Sequence, residues 1–314
     1  MSRGLLPEFR KRSRIADIAL SAIPLALLTP LRALGNILVF KSLKQKLGGR
    51  FIAGVSGGGA LPSYVDSFFQ AAGIKVLEGY GLTETAPVLA VRLQDAPVRG
   101  TVGPFLPDVQ YKVVGEHGEE LGAGKKGTLW VKSEQIMEGY YKKPEETAKV
   151  LQDGWLNTGD ICMLTVNGEC RILGRAKETI VLLGGENVEP VPIEETITQS
   201  EYIEQAMVVG QDQKFLAALI VANQERLVEF AKEEEIEYFE YEELLGHEAV
   251  QELIHNEIQK YVNKNTGFKS FELIYRFKLL REPFQVGEEL TQTLKIKRSV
   301  VDEKYRREIE RIFQ

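Results

Sequence analysis

The chain has 314 residues, 44% apolar and 27% charged, which is enough for two ordinary globular domains with their own cores. Two cysteines and three histidines exclude a disulfide framework and a zinc-ligand cluster, and they point to a reducing compartment with no structural metal. The net charge of −6 and the absence of an aromatic-interleaved basic patch argue against nucleic-acid binding, while the basic excess is confined to residues 1–50, where ten Lys and Arg face two acidic residues.

Residues 1–50 read as a helical, amphipathic segment that ends at Gly48-Gly49. Such a segment fits a cytoplasmic protein that touches the inner membrane face through anionic head groups, and it fits a solvated basic helix face equally well. Ile18 to Leu31 is a 14-residue apolar run, but Pro24 and Pro30 interrupt it. It falls short of the ~20 residues a bilayer span needs, so the expectation is a helix pair with a Pro-marked bend.

Arg50 to Val55 is a short β-like run that opens into Ser56-Gly57-Gly58-Gly59-Ala60-Leu61-Pro62, and Ser63 to Ala72 has helical spacing. Three adjacent glycines leave bare backbone where something flat can approach closely. Gly54 to Gly58 also satisfies G-x-S-x-G, the nucleophile elbow of serine hydrolases. An elbow needs its helix at once and a histidine downstream in a turn. Gly59 and Pro62 delay the helix, and His247 and His255 lie in a charged helical stretch, so a hydrolase acting through Ser56 is the weaker reading.

Lys75 to Leu77 leads into a loop, Gly79-Tyr80-Gly81-Leu82-Thr83-Glu84. A flat ring, bare glycines, a hydroxyl and a carboxylate are the groups needed to hold ATP at its α-phosphate together with Mg²⁺. Arg99 to Pro107, Val109 to Val114 and Gly127 to Val131 then read as short strands of a β-rich subdomain. Pro144 opens a helix. Gly154-Trp155-Leu156-Asn157-Thr158-Gly159-Asp160 precedes a strand from Ile161 to Thr165, and an aspartate after a Gly turn at a strand edge can accept both hydroxyls of a ribose. Asn167-Gly168 signals a hairpin. A domain boundary is expected at Gly174, which divides the chain into 1–50, 51–174 and 175–314. The last part reads as a compact unit with helices at Ile193 to Gln199, Gln224 to Lys232 and Glu248 to Val262 and strands at Ala206 to Val209, Phe215 to Val221 and Phe271 to Leu280. A terminal helix ends near Phe313. The acidic run from Glu229 to Glu243 reads as a solvated face.

Five strings in this order, SGGGALP, GYGLTE, GWLNTGD, GRAKE and TLKIKR, resemble the motifs of the acyl-adenylate-forming superfamily of acyl-CoA synthetases, adenylation domains and firefly luciferase. The GGALP and T-x-T-x-K-x-K-R variants resemble its long-chain fatty acid-CoA ligase branch. The resemblance implies an α/β fold: a large domain with part of a parallel sheet and a β-rich subdomain, then a small mobile α+β domain. It also implies an AMP-forming ligase that uses ATP, Mg²⁺ and CoA to activate a fatty acid. Gly57 and Gly58 would wall the adenine and ribose beside Gly79, Tyr80 and Gly81. Thr83 would bond a phosphate oxygen and Glu84 would hold Mg²⁺. Asp160 and Arg175 would bind the ribose, and Lys177 would be the hinge. Gly184 and Gly185 would line the pantetheine path, and Lys295, flanked by Lys297 and Arg298, would be the catalytic lysine. One departure stands out: the family's Ser/Thr/Gly-rich phosphate loop is not found, so the chain resembles the C-terminal half of a synthetase. The expectation is feeble adenylation by the chain alone, dependence on a separately encoded N-terminal half or a remnant that only binds adenylate or CoA, and an exposed apolar sheet edge.

Overall fold

The computed structural model describes residues 7–8, 28–30, 35 and 39–314. Of the helical segment expected over 1–50, residues 41–46 are helical, while 1–6, 9–27, 31–34 and 36–38, and with them most of the proline-bent helix pair and its membrane-facing reading, lie outside the described residues. Among the described residues no helix is long and apolar enough to cross a membrane. The chain forms two compact units, Met1–Ile172 and Leu173–Gln314.

In the first unit, helix α1 (Lys41–Lys46) precedes strand β1 (Gly54–Ser56), helix α2 (Ser63–Ala71) and strand β2 (Val76–Gly81). β1 and β2 pair in parallel, Gly54 opposite Val76, with α2 as the crossover between them. β2 then turns back on β3 (Val88–Val91) as an antiparallel partner. Among the described strands β1 is an edge, and Phe51, Ile52 and Val55 are exposed along it. The remaining strands, β4 (Gln110–Val114), β5 (Lys126–Lys132), β6 (Leu151–Gln152), β7 (Trp155–Leu164) and β8 (Cys170–Arg175), the last of which runs on into the second unit, make a sheet in which β7 is paired by β5, β6 and β8. Helix α3 (Pro144–Val150) begins at the proline, where a missing N–H costs nothing. β5 alternates buried and half-buried residues, and it sends Leu129 and Val131 into a core shared with Leu89, Val113, Leu156 and Cys162.

Three expectations are corrected here. The strand that starts at Val76 does not give way to a loop at Tyr80 but continues to Gly81, because β3 pairs with it through a bulge at Tyr80/Gly81. Residues 99–107 form no strand; they carry two isolated bridges, Gly103 to Cys170 and Phe105 to Ala90, and scattered hydrogen bonds. Gly103 has φ +84, and a Cβ there would overlap the Val91 carbonyl. The third concerns Asp160, which lies within β7 rather than ahead of it.

The second unit holds a short hairpin, β9 (Ile180–Val181) with β10 (Asn187–Val188), and helix α4 (Pro190–Ile197). A three-stranded sheet follows in the order β11 (Ile203–Val209), β12 (Leu216–Ala222), β13 (Ile274–Leu280), in which β12 and β13 run parallel. The crossover between them is helical: α5 (Gln224–Glu233), α6 (Tyr241–Gly246) and α7 (Glu248–Tyr261). Every residue of β12 is buried, as a continuous apolar run implies for a strand covered on both faces. Leu216, Ala218 and Ile220 meet α5 and α7 on one side, and Ala217, Leu219 and Val221 meet α8 (Arg298–Lys304) and α9 (Arg306–Phe313) on the other.

Candidate functional site

The Tyr80 to Val88 turn is built around a close backbone approach. A Cβ on Gly81 would overlap the Pro87 carbonyl oxygen, so no other residue fits. Leu82 N–H donates to that carbonyl at 3.1 Å, and Ala86 takes a left-handed φ of 51. The buried Thr85 locks the turn: its hydroxyl oxygen accepts from Leu82 N–H at 2.9 Å and its proton goes to the Pro87 carbonyl at 2.7 Å. The Gln135 amide donates to the Thr85 and Val88 carbonyls, each at 2.7 Å. What this frame presents outward is Thr83, exposed, and Glu84. Met137 N–H donates to the Glu84 carbonyl at 2.9 Å and the Tyr140 hydroxyl donates to its carboxylate at 2.9 Å. Thr85, Gln135 and Tyr140 carried no signal in the sequence beyond a second hydroxyl two residues after Thr83.

Tyr80 and Asp160, 80 positions apart, are joined: the phenol donates to Asp160 Oδ2 at 2.6 Å. Asp160 reaches this place through a bulge, since Thr128 pairs with Ile161 and Trp130 with Asn157, leaving Thr158 to Asp160 opposite Leu129 alone. Gly159 supplies the φ of +69 that the extra residues require, and the Thr158 hydroxyl fills the gap by donating to the Leu129 carbonyl at 2.8 Å. Burial first, then the Asp160 charge and its hydrogen bond, push the Tyr80 phenol up, so it keeps its proton and donates to Asp160. Below them Cys162 and Cys170 are free, buried thiols, and the Cys170 thiol is pushed up by its hydrogen bond to Cys162 and by burial.

The glycine segment is brought to the same strand. Gly57 packs against the Gly79 carbonyl, with an added Cβ 3.3 Å from it, while Gly58 turns with φ +83 into open space. Gly79 itself has room for a Cβ at ordinary contact distance, so its small size is not demanded by the protein's own packing. A buried cluster behind the strand holds these parts together. Arg92 Nη1 lies 2.9 Å from Asp66 and Nη2 lies 2.6 Å from Glu78, while Glu78 Oε1 accepts from Leu61 N–H at 3.1 Å. Arg92 Nε adds a bond to the Thr101 carbonyl. Burial raises the Glu78 carboxyl above its ordinary value of 4.5 despite the opposing pull of Arg92 and the Leu61 N–H. The folded state therefore holds this proton more tightly than the unfolded one, and stability falls as pH rises from 4.5 through the raised value. Urea denaturation across this interval is expected to show that decline in wild type and lose it in Glu78→Gln; an unchanged slope in the variant would refute the assignment.

In the second unit, Arg175 and Lys177 are exposed around a single helical turn, Ala176–Glu178. Gly184 and Gly185 are exposed in the β9–β10 turn, where Gly185 has φ +86. Lys295 is exposed on a tight loop: Thr291 N–H donates to its carbonyl at 2.8 Å, its own N–H donates to the Thr291 hydroxyl at 3.0 Å, and Leu294 takes φ +61. His247 caps α7, its Nδ1 accepting from Ala249 N–H at 3.3 Å.

Among the described residues no group of three His, Cys, Asp or Glu could enclose a metal ion. A single carboxylate such as Glu84 nevertheless suits Mg²⁺, which keeps its waters and takes its other ligands from substrate phosphates. A family model described as AMP-binding enzyme matches residues 19–141, and one described as AMP-binding enzyme C-terminal domain matches 177–314. The chain is 37% identical over 301 residues to the long-chain-fatty-acid–[acyl-carrier-protein] ligase AEE15 of Arabidopsis thaliana, covering 92% of this chain and 39% of that protein. It is 33% identical over 292 residues to the long-chain-fatty-acid–CoA ligase FadD15 of Mycobacterium bovis, covering 92% and 46%. The adenylation domain of a carboxylate reductase from Mycobacterium chelonae superposes with a TM-score of 0.70 at 26% identity, over 86% of this chain and 40% of that one. The chain thus spans less than half the length of these relatives.

Proposed function

The chain belongs to the AMP-binding enzyme family, the acyl-adenylate-forming superfamily, and on that premise we propose that it carries the nucleotide-holding and lysine-bearing parts of a long-chain fatty acid ligase. A fatty carboxylate attacks the α-phosphorus of ATP, the bond to pyrophosphate breaks, and acyl-AMP forms. A thiol then attacks the acyl carbonyl and AMP leaves with its oxygen. Asp160 would accept from the ribose hydroxyls and Arg175 would donate to the ribose, and Gly57, Gly58, Gly79 and Gly81 would admit the flat nucleoside beside Tyr80. Thr83 donates to a phosphate oxygen. Mg²⁺ held on Glu84 would offset charge that builds on the phosphates, and Lys295, carried by rotation at Lys177, would add its own. The second-unit turn at Gly184 and Gly185 would pass the pantetheine arm.

The observation that supports this reading is the Tyr80 to Asp160 hydrogen bond, which brings two motifs distant in sequence side by side. Fatty-acid-dependent pyrophosphate release is the test, measured on the chain alone and on the chain fused to the N-terminal portion of FadD15. Release by the fusion, abolished by Asp160→Ala, is the expected result, and a well-folded fusion that releases none would overturn it. Robust release by the chain alone would refute dependence on a separate N-terminal half. The likeness to AEE15 favours a second acceptor, acyl carrier protein in place of CoA. Supplying each thiol in turn to the same assay decides between them.

A further inference from the structure

Arg298 stands three residues beyond Lys295, and its guanidinium gathers three separate segments of the second unit. Nη2 lies 2.6 Å from Glu194 on α4, Nε lies 3.5 Å from Glu178, and Nη1 donates to the Val208 carbonyl at 3.3 Å. Glu194 is in turn held by Val208 N–H, which donates to its other oxygen at 2.6 Å. The Arg298 side chain is 13% exposed, that of Glu194 10% and that of Glu178 34%, so the Arg298–Glu194 pair is the more buried one and the Glu178 contact is its solvent-facing arm. Glu178 directly follows Lys177. A planar fork that meets two carboxylates fixes direction as well as distance, which a lysine cannot do.

We infer that Arg298 is a positioning residue that locks the Lys295 loop and the segment directly after Lys177 into one body. The inference rests on the roles proposed above for Lys295 and Lys177. Elsewhere the loop is held by Lys297, whose N–H donates to the Glu289 carbonyl at 2.7 Å and whose Nζ donates to the Gly287 carbonyl at 2.9 Å, and by Ile296, which packs on the core with Met207 and Val209. These shape the loop but do not connect it to the hinge. Arg298 makes that connection, so bending is confined to Lys177 and the residues before it, and rotation there reaches Lys295 undiminished.

Hydrogen exchange on the full chain tests this. Glu178→Gln keeps shape and removes only the solvent-facing arm, and it is expected to speed exchange about threefold to tenfold at both 178–182 and 293–298. β12 and α7 should exchange as in wild type. Arg298→Lys, which keeps the charge and loses the fork, should loosen the same two segments. Acceleration at 178–182 alone would overturn the inference, and so would a uniform rise across the whole unit, which marks an ordinary structural ion pair. In the FadD15 fusion, Glu178→Gln should slow acyl-AMP formation and spare thiol transfer from supplied acyl-AMP. If Lys295→Ala leaves acyl-AMP formation untouched, the reading of Lys295 fails, while the exchange result still stands or falls by itself.

Discussion

Alanine at Lys295 is expected to slow acyl-AMP formation in the fused enzyme by about 10²- to 10³-fold, the usual loss when one preorganised charge is removed from a transition state. Transfer of the acyl group from supplied acyl-AMP to the thiol should continue at the wild-type rate. The asymmetry follows from where charge develops: phosphate oxygens gain it in the first step, whereas the second step moves charge at the acyl carbonyl. Lys295 is solvent-exposed on a loop closed by its own bonds to Thr291, so its removal leaves no hole in a core. Lys177→Pro is the complementary variant. It stiffens the backbone at the turn Ala176–Glu178 and should spare the first step while stopping the second. Quenched-flow measurement of both half-reactions decides the matter, and equal loss of both in either variant would sink the assignment.

Methionine at Arg92 is expected to destabilise the first unit by about 3–5 kcal/mol, because it leaves buried carboxylates without their cation. The Arg92 side chain is 1% exposed and faces Asp66 and Glu78 together, so neither acid can turn to water when the guanidinium is gone. Both tryptophans, Trp130 and Trp155, lie in this unit on neighbouring strands. Their fluorescence in a urea titration therefore reports its unfolding separately from the second unit. Because Glu78 also holds the Leu61 N–H, the same variant should loosen the glycine segment 57–61 and weaken AMP binding. A loss below about 1 kcal/mol would mean that the cluster contributes no more than a surface pair.

Local chemistry made much of this molecule readable. The glycine run at 57–59, the hairpin at Asn167-Gly168, the helix opened by Pro144 and the apolar strand expected at Phe215 to Val221 and found at Leu216–Ala222 each follow from backbone freedom or from burial on both faces, and these act within a few residues. The five motifs belong to the same level, since short strings suffice to suggest nucleotide chemistry. Partnership across the chain was not readable. That the strand through Tyr80 runs on to Gly81 depends on β3, and that Asp160 enters the site from within β7 depends on Leu129 leaving room for a bulge. Nothing in the sequence sets Arg92 apart, and only the fold brings Asp66 and Glu78 to it; Arg298 reads as a flank of Lys295 until Glu178 and Glu194 meet it. The physical reason is the same in each case. A glycine or proline restricts its own dihedrals wherever it stands, whereas the worth of a buried charge, a bulge or a hydrogen bond is set by what folding packs against it, and only the tertiary structure supplies that neighbour.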